Sequence, residues 1–100
     1  MAWHTEGPKT DPTDGTVLAD TGPMSAGIQN ATLLVYTDVM FVADLVQRNA
    51  LNTADLNVQP IAITSQLAVV GVPFTFVLNQ RVLLRVNGNV TGHMQASILT

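Results

Sequence analysis

RVLLRVNGNVTGHMQASIL, residues 81–99, is the stretch on which the fold turns. In Arg81–Val86 the side chains of Val82, Leu84 and Val86 fall on one side of an extended chain, with Arg81 and Arg85 on the other. In His93–Leu99 the set Met94, Ala96 and Ile98 opposes His93, Gln95 and Ser97. A period of two is the pattern of an antiparallel strand with one face in a core and the other in solvent. Asn87-Gly88-Asn89 separates the two runs, and Asn-Gly readily accepts positive φ, so the spacing predicts a tight hairpin turn. The apolar phase predicts a core containing Phe76, Leu84, Val86, Met94 and Ile98.

The rest of the chain supplies further short strands. Gly15–Asp20 and Ala31–Thr37 read as strands, with the turn Thr21-Gly22-Pro23 and a small, polar stretch, Met24–Asn30, between them. Val39–Arg48 fits two patterns. As a strand it sets Val39, Phe41, Ala43 and Leu45 against Met40, Val42, Asp44, Val46 and Arg48; as a helix it clusters Phe41, Val42, Leu45 and Val46. The strand is preferred, for a reason that composition gives below. Asn49–Thr53 reads as a loop. Leu56–Thr64 alternates, and Pro60, which has no N–H to donate, makes it an edge strand or bends it. Ser65–Gly71 reads as a connection or bulged strand, and Pro73–Leu78 as a strand presenting Phe74, Phe76 and Leu78. Seven or eight short strands with turn signals every 8–12 residues predict an antiparallel β-sandwich or barrel.

Composition agrees. One hundred residues make one domain, and the apolar fraction is 47 % against a charged fraction of 11 %. Soluble domains carry about 25 % charged residues. One Lys, one Glu and three Arg are too few to cover the exposed faces of several helices, whereas thirteen Val, twelve Thr and four Ile favour strands. The scarcity of charge also points to a surface that sits against neighbours in an assembly. A net charge of −3 provides no basic patch for nucleic acid. No apolar run reaches the roughly 20 residues of a membrane span, and the first residues lack the charged-then-apolar pattern of a signal peptide. Cysteine is absent, which excludes disulfides and thiolate metal sites.

Met1–Asp14 holds two prolines, a glycine and four of the eleven charged residues. It reads as an extended, flexible arm outside a sandwich of residues 15–100, mobile alone and ordered against a partner. Trp3, His4, Pro8 and Pro12 are its candidate partner-binding residues, with Trp3 as the anchor.

Catalytic chemistry is not legible. His4 and His93 stand far apart, and a zinc site needs three or four convergent ligands. Asp20, Asp38, Asp44 and Asp55 lie near strand ends or turns, where Asp commonly bonds its own backbone. No nucleophile elbow, Walker loop or dinucleotide fingerprint is present. Gly92 marks a bend. Asn30-Ala31-Thr32 and Asn89-Val90-Thr91 match the glycosylation sequon, a weak match in a chain this rich in Thr and Asn. No enzyme activity, cofactor or metal is expected.

Two resemblances add to this. GTVLADTGPMSAG (Gly15–Gly27), VADLVQRNALNTADL (Val42–Leu56) and LNQRVLLRVNGNVTGHMQASI (Leu78–Ile98) resemble, in that order, the small β-sandwich structural proteins of tailed bacteriophages, which serve as capsid decoration (cement) proteins or tail accessories. The resemblance implies an antiparallel sandwich, association with itself as a homo-oligomer (a trimer among the states allowed), attachment to the lattice of the major capsid protein, and a place on the virion surface. The alternatives are a tail or fibre module and a redox-inactive thioredoxin-like domain. The last is similar in Leu33–Tyr36, in Val72-Pro73-Phe74-Thr75-Phe76 and in Asn87-Gly88, with Val39-Met40-Phe41-Val42 where the redox motif would stand. Both of its cysteine positions would be valine, and it demands at least two helices.

Overall fold

The computed structural model describes residues 3–24, 27–49, 51–64, 67–76 and 80–99, and the side chains of these except 27–31 and 67–76. The strands are β1 (Trp3–His4), β2 (Lys9–Thr10), β3 (Val17–Asp20), β4 (Gly27–Thr37), β5 (Phe41–Arg48), β6 (Asp55–Ile63), β7 (Leu67–Phe76), β8 (Arg81–Val86) and β9 (His93–Leu99). Among the described residues there is no helix. The strand preferred for Val39–Arg48 is therefore β5, and the thioredoxin-like alternative is set aside, because the helices it requires are missing.

The strands form two antiparallel sheets. In the first, the order is β1-β9-β4-β7, with β2 also on β9; in the second it is β3-β8-β5-β6. β1 and β2 together act as one interrupted strand. Trp3 and His4 face Leu99 and Ile98, while Lys9 and Thr10 face Met94 and His93, so residues 5–8 lie opposite residues 95–97. The one extra residue is absorbed at Gly7, whose φ is +86°, and the Thr5 hydroxyl donates across the gap to the Ala96 carbonyl at 2.9 Å. Counted so, eight strands alternate between sheets at every connection except the β5–β6 hairpin. This is the strand order of a jelly roll, an all-β architecture of two interlocked Greek keys.

That topology corrects two expectations. First, Asn87-Gly88 is not a two-residue hairpin turn. β8 and β9 belong to different sheets, and residues 87–92 carry the chain across the sandwich. Gly88 does take a positive φ of +89°, but Asn87 does not, so no primed turn with two positive φ values forms. Period-two alternation reports which face of a strand is buried and cannot report which sheet it joins. Second, Trp3–His4 and Lys9–Thr10, within the stretch 1–14 expected as a separate arm, pair with β9 at the edge of the first sheet. The segment has few apolar residues; what holds these four residues is backbone pairing to β9, which pattern reading of the segment alone cannot register.

The core lies between the sheets. It contains Leu18 and Ala19 from β3, Leu33 and Val35 from β4, Phe41, Ala43 and Leu45 from β5, Ile63 from β6, Val82, Leu84 and Val86 from β8, and Met94, Ala96 and Ile98 from β9. Four of the five predicted core residues are there; the side chain of Phe76 lies outside the described residues. Leu18 and Ala19 are both buried although adjacent, because the pairing of β3 with β8 shifts by one residue between Val17 and Ala19. β4 is longer than the expected Ala31–Thr37. It starts at Gly27 and pairs with β7 from Gly27↔Phe76 to Tyr36↔Leu67, so two segments of weak strand character become long strands by pairing with each other.

β6 is an edge strand, as Pro60 requires. The Asn87 N–H donates to the Val42 carbonyl at 2.9 Å, which sets the alternation in β5: even-numbered residues bond to β8 and odd-numbered ones to β6. In the register Asp44↔Pro60, the even-numbered residues of β6 then direct their backbone groups to the open edge. The missing N–H of Pro60 falls where no strand needs it.

Candidate functional site

Three surfaces carry the chain's chemistry. The first is the end of the sandwich where the loops 11–16, 38–40 and 87–92 meet. Three carboxylates there hold one loop. The Asp11 carboxylate accepts the Gly92 N–H (2.8 Å), that of Asp14 accepts the Gly88 N–H (2.8 Å), and that of Asp38 accepts the His93 N–H (2.8 Å). The Asp11 N–H donates to the Gly92 carbonyl (2.7 Å) and the Val90 N–H to the Pro12 carbonyl (3.0 Å), while the Asn89 side-chain oxygen accepts the Asp14 N–H (2.9 Å). Gly92 closes the arrangement. At its φ of +152° a Cβ would fall on Cγ1 of Val39 and 2.7 Å from Oδ1 of Asp38, so only glycine fits. Asp38 is pulled below the ordinary aspartate range by the hydrogen bond from the His93 backbone and then by that from its ring, with Nδ1 2.9 Å from Oδ2. The sequence predicts that Asp20 and Asp38 both bond their own turns. Asp20 does, accepting the Gly22 N–H at 2.9 Å, but Asp38, like Asp11 and Asp14, acts across loops that only the fold brings together.

The second surface is the outer face of the β3-β8-β5-β6 sheet. All three arginines of the chain lie on it, each ion-paired. Arg81 grips Asp20 with two bonds, of 3.1 and 2.8 Å. Arg48 and Arg85 share Asp55, at 2.7 and 3.1 Å, and Arg85 also stands 3.8 Å from Asp44. These guanidinium groups hold the Asp55 carboxyl below its ordinary range, Arg48 contributing most. Leu83 and Val46, paired across β8 and β5 on this same face, are buried, and Arg81 and Arg85 stand two residues away from Leu83 on either side. Farther toward the edge the face is apolar. Val42, Val58, Pro60 and Ala62 are exposed and share it, by the pairs Val42↔Ala62, Asp44↔Pro60 and Val46↔Val58. Met40, Leu51 and Leu56 are exposed at its margins.

The third surface is the outer face of the other sheet, where Tyr36 lies directly across from Gln95 and Leu34 across from Ser97. Two adjoining hollows share Tyr36 and Gln95: one of about 330 Å³ also lined by Pro8, Thr37, Asp38, His93 and Met94, and one of about 170 Å³ also lined by Leu34 and Ser97.

The four residues expected to meet a partner are not brought together as a unit. Trp3 is 51 % exposed at the sheet edge, opposite Leu99. His4 is half-buried opposite Ile98. Pro8 lines the larger hollow. Pro12 is buried, its carbonyl bonded to Val90, so the fold itself occupies it. His93 lies next to Asp38 and far in sequence from His4; among the described residues no three His, Asp or Glu side chains gather as a metal site. Of the two sequons, Asn89 is bonded to Asp14, and the side chain of Asn30 lies outside the described residues. Comparison of the chain with protein-family models, with curated proteins and with solved structures finds no match.

Proposed function

We propose that this chain is a structural, non-enzymatic module that attaches to a repeating protein surface, and that this surface is the outer lattice of a viral capsid, which it decorates and stabilises. The observation that carries the reading is the apolar strip along the β5–β6 hairpin. Val42, Val58, Leu56, Met40 and Leu51 expose between 40 % and 80 % of their surface on neighbouring strands and their turns. Contiguous apolar surface at an edge strand is a contact site unless something covers it. Pro60 guards the edge by blocking strand addition while leaving the apolar face open. Burial of such a strip contributes roughly 25 cal/mol per Å², and repetition over a lattice multiplies contacts that are weak one by one. The same strip serves association between copies of the chain. The resemblance of residues 15–99 to phage decoration proteins supplies the setting, and the jelly-roll order, shared by viral capsid and lectin domains, is compatible with it.

The test is co-sedimentation with bare capsids, beside sedimentation of the free chain. Leu56→Lys with Val58→Lys should abolish capsid binding and leave the melting temperature nearly unchanged, since both side chains are already exposed. Undiminished binding by the double variant would remove the strip from the interface. Failure of the intact chain to bind capsids would remove the capsid reading.

A further inference from the structure

We infer that the outer face of the β1-β9-β4-β7 sheet, centred on Tyr36, is a binding site for a neutral oligosaccharide. This site lies on the opposite face of the sandwich from the strip proposed to dock on a lattice, and it is independent of that proposal.

The Tyr36 side chain points away from the core, because its neighbours Val35 and Thr37 point in. The residue is 68 % exposed, so its ring adds little to stability. Gln95 faces it across the sheet, and both residues line the two hollows of about 330 and 170 Å³. Two hollows that share an aromatic residue suit a ligand of more than one unit. The larger falls at the lower end of the range for small-molecule sites, about 300–1,000 Å³.

The rim chemistry narrows the class. A sugar ring has a face of C–H groups and an edge of hydroxyls. An exposed tyrosine provides an apolar face for the first. For the second, the hollows offer the Gln95 amide, the Ser97 hydroxyl and the Asp38 carboxylate. The bonds of Asp38 to His93 use one lone pair on each oxygen, which leaves acceptor capacity for a hydroxyl pair and fixes the carboxylate in place. The carboxylate is ionised at neutral pH, and among the described residues no Lys or Arg lines either hollow. A phosphate, sulfate or uronate would therefore meet the Asp38 carboxylate without a Lys or Arg to offset the repulsion. An extended peptide would seek backbone bonds at a sheet edge, whereas this is a sheet face. A neutral, hydroxyl-rich chain uses the ring face and the amide, hydroxyl and carboxylate groups together, whereas a small cation would use the carboxylate and the ring alone.

Amide NMR titration of the intact chain tests the assignment, with maltohexaose, cellohexaose and chitohexaose as the neutral probes and a heparin oligosaccharide and a proline-rich peptide as contrasts. At about 10 mM sugar even a site with a Kd near 1 mM is filled. Binding by at least one neutral probe, with shifts centred on residues 34–38 and 93–97, is expected. Tyr36→Ala should weaken that binding by roughly tenfold or more, about 1.4 kcal/mol, while Tyr36→Phe keeps it. Should Tyr36→Ala fail to fold, Gln95→Ala takes its place with the same expected loss. Silence from all three neutral sugars, shifts only with the heparin fragment or the peptide, or undiminished binding by the folded variants would each overturn the assignment.

Discussion

Gly92 and Asp38 show how much of this fold rests on single positions in loops. Gly92→Ala must push Val39 and the Asp38 carboxylate aside, and is expected to cost about 1–3 kcal/mol in denaturant melts. Gly88→Ala meets no neighbour within 4 Å and suffers only the unfavourable φ, so it should cost less; the reverse order would refute the steric account. Asp38 makes a pH prediction. Its folded-state pKa lies below its unfolded value, because the charged form accepts the His93 backbone and ring bonds. Its contribution to stability is therefore complete above the ordinary aspartate range and is lost as pH falls through the lower, folded-state value. The His93 amide proton shift, followed against pH, should show a midpoint below 3.8 that disappears in Asp38→Asn. A midpoint at or above that value would contradict the bonding described. In the core, Leu84 is fully buried, and Leu84→Ala should cost about 2–5 kcal/mol.

Edge strands are where each sheet risks joining another chain, and this molecule guards two of them differently. The β1/β2 edge is broken by the extra residue at Gly7, with Pro8 and Lys9 beside it, a combination that discourages pairing. β6 is nine residues long and relies on Pro60, whose nitrogen faces the open edge. Pro60→Val would restore an N–H there without disturbing the bonds to β5. Thermal stability should hold or rise slightly, while light scattering should report stronger self-association. An unchanged association state would mean that the β6 edge is guarded by something other than Pro60.

The two sheets are tied together at one end by residues 11–16 acting on 86–93, and this makes the first residues structural. Removing residues 1–14 deletes β1, β2 and the bonds of Asp11, Pro12 and Asp14 to the 87–92 loop. Each such bond contributes about 0.5–1.5 kcal/mol, so the truncated chain should melt several kcal/mol less stable and should aggregate through the bared β9. The reading of these residues as a free arm leads to the opposite result, a melting temperature nearly unchanged. Thermal melts of the two chains decide between them, and Trp3→Ala, which removes an exposed ring only, should leave stability close to that of the intact chain.

Legible in the residues alone were the all-β class, a preference for strand at β5, an edge or bend at Pro60 in β6, and the buried phase of β8 and β9, whose bounds 81–86 and 93–99 match the alternation to the residue. These are local properties: side-chain period, β-branching, charge scarcity and a proline's missing donor act within a few residues of where they are read. Tertiary structure alone decided that β8 and β9 part into different sheets, that residues 3–10 complete the first sheet, and that Asp11, Asp14 and Asp38 serve a loop up to 81 positions away. It also decided that Tyr36 meets Gln95. Each of these depends on backbone pairing between distant segments. Such pairing is nearly indifferent to side-chain identity, and so it leaves no mark in the pattern of either segment read alone.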